Sequence, residues 1–319
     1  MFSFIYSFLI KSCRIADKES FMNDSRKIEP SYVSVAMATY NGERFIKEQI
    51  DSILCQTIKP SEIIICDDCS TDNTWEILQQ YASKDSRFHV YTNNQNLGFI
   101  KNFEKAISLC SGAYVALSDQ DDIWMDNHLE FLLDGMGNKI MSCGNALLVD
   151  ENGKSLGLSY KEMELLDTLP DDDFQKLKSM LFFRSPYQGA SMLFKRELTK
   201  SALPFPEGLS YHDRWLAMVA CVSGGINYID NIVLNYRRTH ENVTEYKKNR
   251  SRIKYCLHGW MNGNVDDIDQ LLRHPHVYMS EYQRKKLLKW RYILANNSKL
   301  RKPITISFLL RNYKTIYNC

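Results

Sequence analysis

The most chemically suggestive part of the 319-residue sequence is a run of carboxylates in Ser118-Asp-Gln-Asp-Asp122. Asp119, Asp121 and Asp122 repel one another, and burial increases that repulsion, so such a cluster needs solvent or a divalent cation to compensate it. Alternate residues of an extended chain point to the same side. Asp119 and Asp121 could therefore converge on one Mg²⁺ or Mn²⁺ and a phosphate. The alternative for Asp122 or Asp126 is capping of the helix that follows.

A second acidic pair, Asp67 and Asp68, follows the apolar segment EIIIC at 62–66. A carboxylate at that position could accept a hydrogen bond from the imide N–H of a pyrimidine or from a ribose hydroxyl. The alternative is capping, since Asp68 and Asp72 precede a predicted helix and could accept from its first N–H groups. We assign Asp67 to a ligand and Asp72 or Asn73 to the cap.

Strands and helices alternate along the first part of the chain, which predicts βαβ units and a parallel sheet covered on both faces. The predicted strands are 32–39, 62–66, 88–92 and 113–118, and the predicted helices are 44–56, 73–83 and 99–109. Functional loops of such sheets lie at the carboxyl ends of the strands. Both acidic groups fall at these ends.

After residue 124 the pattern becomes less regular. It predicts helices over 128–133, 174–181 and 213–223, strands over 141–149, 190–194 and 226–236, and a polar loop over 154–172. We expect this half to continue the first sheet and to shape the substrate site.

Charge is distributed unevenly along the chain. The net charge is +2, but residues 241–319 carry 16 Lys/Arg against 6 Asp/Glu, which leaves −8 for residues 1–240. A main body this acidic argues against nucleic-acid binding. The segment YQRKKLLKWRYIL at 282–294 predicts either a basic helix lying on anionic lipid or a helix packed on the main body with a solvated charged face.

Several kinds of site are disfavoured by missing motifs. The sequence contains neither G-x-G-x-x-G nor a P-loop, so a metal rather than a glycine-rich loop must meet the charge of any bound diphosphate. The nine cysteines have no framework spacing, which indicates reduced thiols in a cytosolic setting. Cys66 and Cys69 form a C-x-x-C with no second Cys/His pair nearby to complete a zinc site.

The sequence also disfavours a membrane-spanning protein and a phosphoryl-receiver module. No segment approaches the roughly 20 apolar residues of a membrane-spanning helix, and the apolar residues 1–10 are too short. A phosphoryl-receiver module also has paired aspartates after a buried strand. Here the pair follows the second predicted strand rather than the first, and the chain continues far beyond the size of a receiver.

Four ordered motifs resemble family 2 glycosyltransferases of the GT-A fold. They are TYNGERF at 39–45, EIIICDDCSTD at 62–72, NLG at 96–98 and SDQDDIW at 118–124. The DQDDIW block is similar to that of the bacterial branch labelled rhamnosyltransferase-like, which builds surface polysaccharides. Two departures stand out: Cys69 replaces the usual glycine, and His128 replaces a lysine at a position expected on the surface.

The resemblance, which extends from about residue 32 to residue 244, implies an α/β GT-A fold, and the residues beyond it predict a helical, basic C-terminal extension. The expected parts are an N-terminal extension (1–30), a GT-A domain (31–245) and a basic helical region (246–319). Within the domain we expect a nucleotide-binding half (31–124) and an acceptor half (125–245). We expect a cytoplasmic protein, with peripheral contact to the inner face of the plasma membrane through the basic region.

The resemblance also implies a reaction. It is the inverting, metal-dependent transfer of a sugar, with rhamnose favoured, from a dTDP- or UDP-linked donor to an oligosaccharide or a lipid-linked saccharide. Transfer of glucose, galactose or N-acetylhexosamine is the alternative, and so is a catalytically inactive relative of the same fold. The cofactor is Mg²⁺ or Mn²⁺.

Individual roles follow from the same resemblance. Nucleotide-sugar binding is expected of Thr39, Tyr40, Asn41, Glu43, Asp67, Lys101, Asp119 and Gln120. Metal binding is expected of Asp119, Asp121 and His240, and acceptor binding of Asp122, Trp124, Gln188, Gly189 and His212. Asp213 is the expected catalytic base, with a role as a helix N-cap as its alternative.

Overall fold

The computed structural model describes residues 32–164, 169–182, 185–238 and 265–296. The strands are β1 (Val33–Thr39), β2 (Glu62–Asp67), β3 (Phe88–Thr92), β4 (Tyr114–Ser118), β5 (Ile123–Trp124), β6 (Met141–Val149), β7 (Ser155–Ser159), β8 (Met192–Lys195) and β9 (Ile226–Arg237). Within the described part they form one sheet in the order β3-β2-β1-β4-β8-β6-β9-β5, with β7 paired to β6.

The first four strands are mutually parallel, as the alternating pattern predicts, and β1 lies between β2 and β4. The helices of this half are α1 (Ile46–Leu54), α2 (Thr74–Ala82) and α3 (Phe99–Leu109). Successive residues of β1 point to opposite faces of the sheet. Val35 packs in the apolar cluster that includes α1 and α2, whereas Ala36 packs in the cluster that includes α3. Both faces are therefore covered, and every residue of β2 is buried.

The second half continues the same sheet, as expected. Its helices are α4 (His128–Met136), α5 (Tyr160–Met163), α6 (Asp173–Phe182), α7 (Thr199–Ala202) and α8 (His212–Ser223). Strand β8 runs antiparallel to both β4 and β6, while β9 is parallel to β6. The sheet is therefore mixed, with antiparallel pairs on both sides of β8.

Two sequence predictions in this half are wrong in part. The predicted loop 154–172 contains β7 and α5, because β7 pairs with β6 and Ser159 caps α5, accepting from the N–H of Glu162. The serine and the glutamate three residues later form a capping box, a signal that was present in the sequence. The predicted strand 190–194 begins as a 3-10 turn, Gly189–Ser191, since Ser191 N–H donates to the carbonyl of Gln188 over 3.1 Å.

Two helices are described in the C-terminal region, α9 (Val265–Arg273) and α10 (Glu281–Ala295). Helix α10 buries Leu287, Trp290, Ile293 and Leu294. Trp290 stacks on Phe174 of α6, with ring centroids 4.7 Å apart. The helix is therefore packed on the main body. None of the helices among the described residues is long and apolar enough to cross a membrane. The predicted N-terminal extension lies outside the described residues.

Candidate active site

Strands β1 and β2 bring Thr39 and Asp67 together at the carboxyl edge of the sheet. The two residues are register partners, and Thr39 Oγ1 donates to Asp67 Oδ1 over 3.0 Å. Asp67 also accepts from the N–H of Ser70 over 3.0 Å. The carboxylate is buried and held in a fixed orientation by these donors.

The loop after β1 is tied to the loop after β4 by Gln120. Tyr40 N–H donates to Gln120 Oε1 over 2.9 Å, and Gln120 Nε2 donates to the carbonyl of Tyr40 over 3.0 Å. A Cβ added at Gly42 would lie 2.4 Å from Gln120 Oε1, so a side chain there would displace that amide. Gln120 thus positions the first loop, and the Tyr40 ring remains exposed beside it.

Asn41 and Glu43 hold the loop that follows β2. Asn41 Oδ1 accepts from the N–H of Thr71 over 2.8 Å, and Glu43 Oε2 accepts from the N–H of Asn73 over 2.9 Å. Asp72 Oδ1 in turn accepts from the N–H of Thr74, the first residue of α2, over 3.0 Å. The predicted capping by Asp72 is seen. Glu43 is also exposed to solvent, and its contact with the nucleotide stays a prediction.

Cys69 lies in this loop with a φ of +68°. That is the left-handed region, which glycine adopts without strain and most other residues avoid. The backbone therefore explains why glycine is usual at this position in the family.

Asp68, predicted only as a candidate cap, holds the loop that precedes α3. It is buried and accepts from Asn93 Nδ2 over 2.7 Å and from the N–H groups of Leu97 and Gly98 over 2.8 Å each. The motif at 96–98 was the available signal. Lys101, on the helix that follows, pairs with Glu104 over 2.8 Å on the surface of α3.

Asp119, Asp121 and Asp213 lie close enough to interact electrostatically. Burial, and then the charges of Asp121 and Asp213, raise the pKa of Asp119 to about 7. The topology explains how residues so far apart in sequence meet. Because β8 is antiparallel to β4, the turn just before β8 lies beside the carboxyl end of β4. Gly189 in that turn donates its N–H to Asp213 Oδ2 over 3.1 Å.

Asp213 lies in the first turn of α8, whose N-cap is Tyr211, so it is not the cap itself. Its Oδ1 accepts from the N–H of Arg214 over 2.6 Å. A Cβ at Gly189 would lie 3.3 Å from His212 Nε2 and 3.4 Å from Asp213 Cβ. The absence of a side chain at Gly189 therefore allows the close approach of its backbone to both residues.

His212 directly precedes Asp213 in the sequence. Gln188 directly precedes Gly189, whose N–H donates to Asp213. Both are buried, and within the described part of the chain neither the amide of Gln188 nor either ring nitrogen of His212 has a hydrogen-bond partner. His212 stacks on Phe103 with ring centroids 4.1 Å apart. Burial lowers the pKa of His212 and Asp213 raises it, with a net lowering that favours the neutral imidazole. Three predicted acceptor residues, Gln188, Gly189 and His212, thus adjoin the predicted base.

The side chains of Asp122 and Trp124, two further residues predicted to bind the acceptor, lie away from solvent. Asp122 is fully buried, and its Oδ1 accepts from the N–H of Arg237 on β9 over 2.9 Å. Trp124 is 2% exposed and stacks on His128 at 3.8 Å between ring centroids. His128 is also buried rather than on the surface, with Nδ1 3.0 Å from the carbonyl of Val233. These side chains join β5, α4 and β9 in the core.

The donor set fits a hard divalent cation in its chemistry. Asp119 and Asp121 offer carboxylate oxygens, which Mg²⁺ and Mn²⁺ prefer, and burial, followed by the charges of the neighbouring carboxylates, raises the pKa of Asp119. Among the residues that the structure describes, no three His, Cys, Asp or Glu side chains form a ready-made metal cage. His240, the third predicted ligand, lies outside the described residues.

A sheet of this order, with acidic residues at the carboxyl ends of its parallel strands, has the architecture of a GT-A transferase. Residues 34–201 match the sequence profile of the family described as Glycosyl transferase family 2. The chain belongs to this family and is a glycosyltransferase. The broad prediction from the four motifs is therefore confirmed.

Individual relatives match over part of their length. The putative teichuronic acid biosynthesis glycosyltransferase TuaG of Bacillus subtilis is 42% identical over 104 residues, 33% of this chain and 41% of TuaG. The UDP-Glc:alpha-D-GlcNAc-diphosphoundecaprenol beta-1,3-glucosyltransferase WfaP of Escherichia coli is 39% identical over 104 residues, 31% of this chain and 41% of WfaP. The matched segment of the chain therefore covers about two fifths of the length of each relative.

A solved structure confirms the fold. Residues 1–349 of TarS of S. aureus, crystallised with UDP-GlcNAc, superpose with a TM-score of 0.56 at 20% identity, over 83% of this chain and 72% of that fragment. At this level of identity the likeness concerns the fold alone.

Proposed function

We propose that this glycosyltransferase moves a sugar, with inversion, from a nucleoside diphosphate sugar to a saccharide acceptor in bacterial polysaccharide synthesis. The observation that carries the proposal is the hydrogen bond from Gly189 to Asp213, at the end of β4. It places a carboxylate of the second half of the chain beside the acidic loop of the first half. The proposed base and the proposed donor site would then share one edge of the sheet.

The donor nucleotide is assigned to the loops after β1 and β2. Asp67, held by Thr39 and Ser70, is oriented to read the base or the ribose, and the exposed ring of Tyr40 lies in the adjoining loop. Asp119 and Asp121 would hold Mg²⁺ or Mn²⁺, which, when bound, neutralises the charge of the diphosphate leaving group. Asn41, Glu43 and Gln120 act by shaping the two loops.

Asp213 is assigned as the base that takes the proton from the attacking acceptor hydroxyl. Two backbone N–H groups, of Gly189 and Arg214, hold its carboxylate in place. Attack on the anomeric carbon from the side opposite the leaving group gives a single displacement with inversion. The unpartnered polar atoms of Gln188 and His212 would bind acceptor hydroxyls beside that base.

Donor and acceptor identity are part of the proposal. The DQDDIW block favours rhamnose from a dTDP-linked donor, whereas WfaP is named for UDP-Glc and for an acceptor linked to diphosphoundecaprenol. A lipid-linked saccharide acceptor would place the enzyme at the cytoplasmic face of the membrane. The basic C-terminal region would then provide peripheral contact.

The test is a nucleotide-release assay across a panel of dTDP- and UDP-linked sugars, with and without Mn²⁺, and with saccharide and lipid-linked saccharide acceptors. We expect release to depend on acceptor and metal and to be highest with one donor, whose product has the opposite anomeric configuration. A product with retained configuration would contradict the assignment of Asp213 as base. Activity undiminished by chelation would contradict the metal.

A further inference from the structure

Helix α10 carries apolar side chains on two faces rather than one. Its inner face buries Leu287, Trp290, Ile293 and Leu294 against the main body. Its outer face leaves Tyr282 and Tyr292 each 64% exposed and Leu288 50% exposed. Tyr278, just before the helix, is 78% exposed. Packing on the body therefore accounts for the inner residues only and leaves these large side chains in solvent.

The helix is also strongly basic. Helix α10 contains five cations, Arg284, Lys285, Lys286, Lys289 and Arg291, and Glu281 is its single acid. Glu281 pairs with Lys285 over 2.7 Å, and Asp269 of α9 pairs with Arg291. These pairs are exposed or partly exposed and thus contribute little stability. The net charge of the helix remains strongly positive.

Lys286 of α10 lies near the neighbouring helix α6. Burial, followed by the charge of Lys286, lowers the pKa of the buried Lys178 on that helix. Lys286 also lies over the ring of Tyr282, 5.3 Å from its centroid. Cations and aromatic rings are therefore interleaved on this part of the surface.

We propose that this outer face of α10, formed by Tyr282, Lys285, Leu288, Lys289 and Tyr292, is a docking surface for an anionic lipid bilayer. Lysines attract anionic headgroups, while tyrosine and leucine side chains enter the boundary between headgroups and acyl chains. At 1.5 Å per residue the 15-residue helix is about 22 Å long and would lie flat in that boundary.

Two other occupants fit less well. A soluble anionic polymer would use the lysines but gain nothing from the exposed Leu288 and Tyr292. A second copy of the chain on a twofold axis would bring the same basic face against itself, and like charges there repel. The docking surface deepens the proposed function, because it would hold the enzyme where a lipid-linked acceptor is presented.

The experiment is co-sedimentation of the full chain with vesicles of phosphatidylcholine alone and with vesicles that also contain phosphatidylglycerol. We expect sedimentation with the anionic vesicles only, and substantial loss at about 1 M salt, where the Debye length falls to about 3 Å. Neutralising two cations in K285Q/K289Q should weaken partitioning roughly 30-fold. The variant L288S/Y292S should lose the part of the binding that survives high salt.

The matched control is K84Q/K154Q, which removes two exposed lysines from loops outside α10 and should partition like the wild type. Circular dichroism shows whether each variant is folded. Transfer to a water-soluble acceptor should be unchanged in K285Q/K289Q, so that failure of this inference is separable from failure of the proposed reaction. The inference is overturned if the wild type ignores anionic vesicles, or if K285Q/K289Q sediments as the wild type does. A concentration-dependent dimer abolished by L288S/Y292S without lipid would overturn it too and assign the face to a second copy.

Discussion

Arg214, the residue directly after Asp213, donates from Nε to Asp267 Oδ2 on α9 over 2.9 Å. Its Nη2 also donates to the carbonyl of Met180 at α6 over 2.6 Å. The helix that carries the proposed base is thus tied to the C-terminal region through an adjacent side chain. Asp267 is buried. Burial raises the pKa of its carboxyl and Arg214 lowers it, and the pKa remains above its usual value.

Asp267→Asn should destabilise the protein and slow transfer. The variant leaves the guanidinium of Arg214 largely buried without its counter-charge, which costs about 3 kcal/mol, the low end for buried pairs. Urea unfolding measures the loss, and kcat should fall because α8 loses its tether. Asp134→Asn, an exposed aspartate of α4, is the matched control and should change neither quantity. Equal stability of the two variants would show that the pair does not hold α8.

Asp213→Asn should abolish most turnover while the donor still binds. An amide cannot take a proton from the acceptor hydroxyl, and loss of a general base typically costs at least ~10²-fold in kcat. Calorimetry with the nucleoside diphosphate measures binding, which we expect to remain close to that of the wild type. Undiminished turnover would disprove the assignment, whereas loss of binding would mean that Asp213 belongs to the donor site.

Gly42→Ala should weaken donor binding through Gln120. The added Cβ would lie 2.4 Å from Gln120 Oε1, so the side chain must leave Tyr40 and the first loop must shift. Overpacking of this kind costs about 1–3 kcal/mol, and we expect a higher KM for the donor.

The combined variant Gly42→Ala/Gln120→Ala checks that mechanism. Removing the obstructing side chain should make the two changes clearly non-additive in unfolding free energy. Additive effects would show that the alanine acts elsewhere in the loop.

His128 should make the protein less stable as the pH falls below about 6.5. Burial lowers the pKa of His128 to about 3, so the ring is neutral in the folded state, while in the unfolded chain it titrates near 6.5. Between these values the unfolded chain binds more protons, and this residue removes about 1.4 kcal/mol of stability per pH unit.

His128→Asn tests this effect by removing the titrating group. Urea unfolding of wild type and variant at several values between about pH 7 and pH 5 compares the two slopes. We expect a shallower pH dependence in the variant, although its stability near pH 7 is lower. Parallel curves would mean that the imidazole titrates in the fold as it does in the unfolded chain.

Much of the nucleotide-binding half could be read from local patterns. The predicted strand 62–66 is apolar from 63 to 66 and has three consecutive isoleucines, which identified it as buried. The helix Phe99–Leu109 was predicted with its observed bounds. Since parallel strands share a carboxyl edge, the meeting of Thr39 with Asp67 followed from those assignments.

Other features depended on contacts between distant segments. Nothing local shows that Glu43 faces Asn73, that Trp124 and His128 stack in the core, or that Asp122 holds β9. Aspartate and histidine near a motif look available for ligands, because sequence reports side-chain chemistry but not what covers it. Burial arises only when β5, α4 and β9 pack together.

The sequence by itself supplied the chemistry: carboxylates at strand ends, no G-x-G-x-x-G or P-loop motif, and four ordered motifs that resemble the family. The antiparallel direction of β8 beside β4 decided how these carboxylates combine. It places Gly189, and through it Asp213, near Asp119. Local periodicity describes the apolar faces of each element. Which strand pairs with which, and in what direction, depends on how those faces fill one core, and that is a property of the folded chain as a whole.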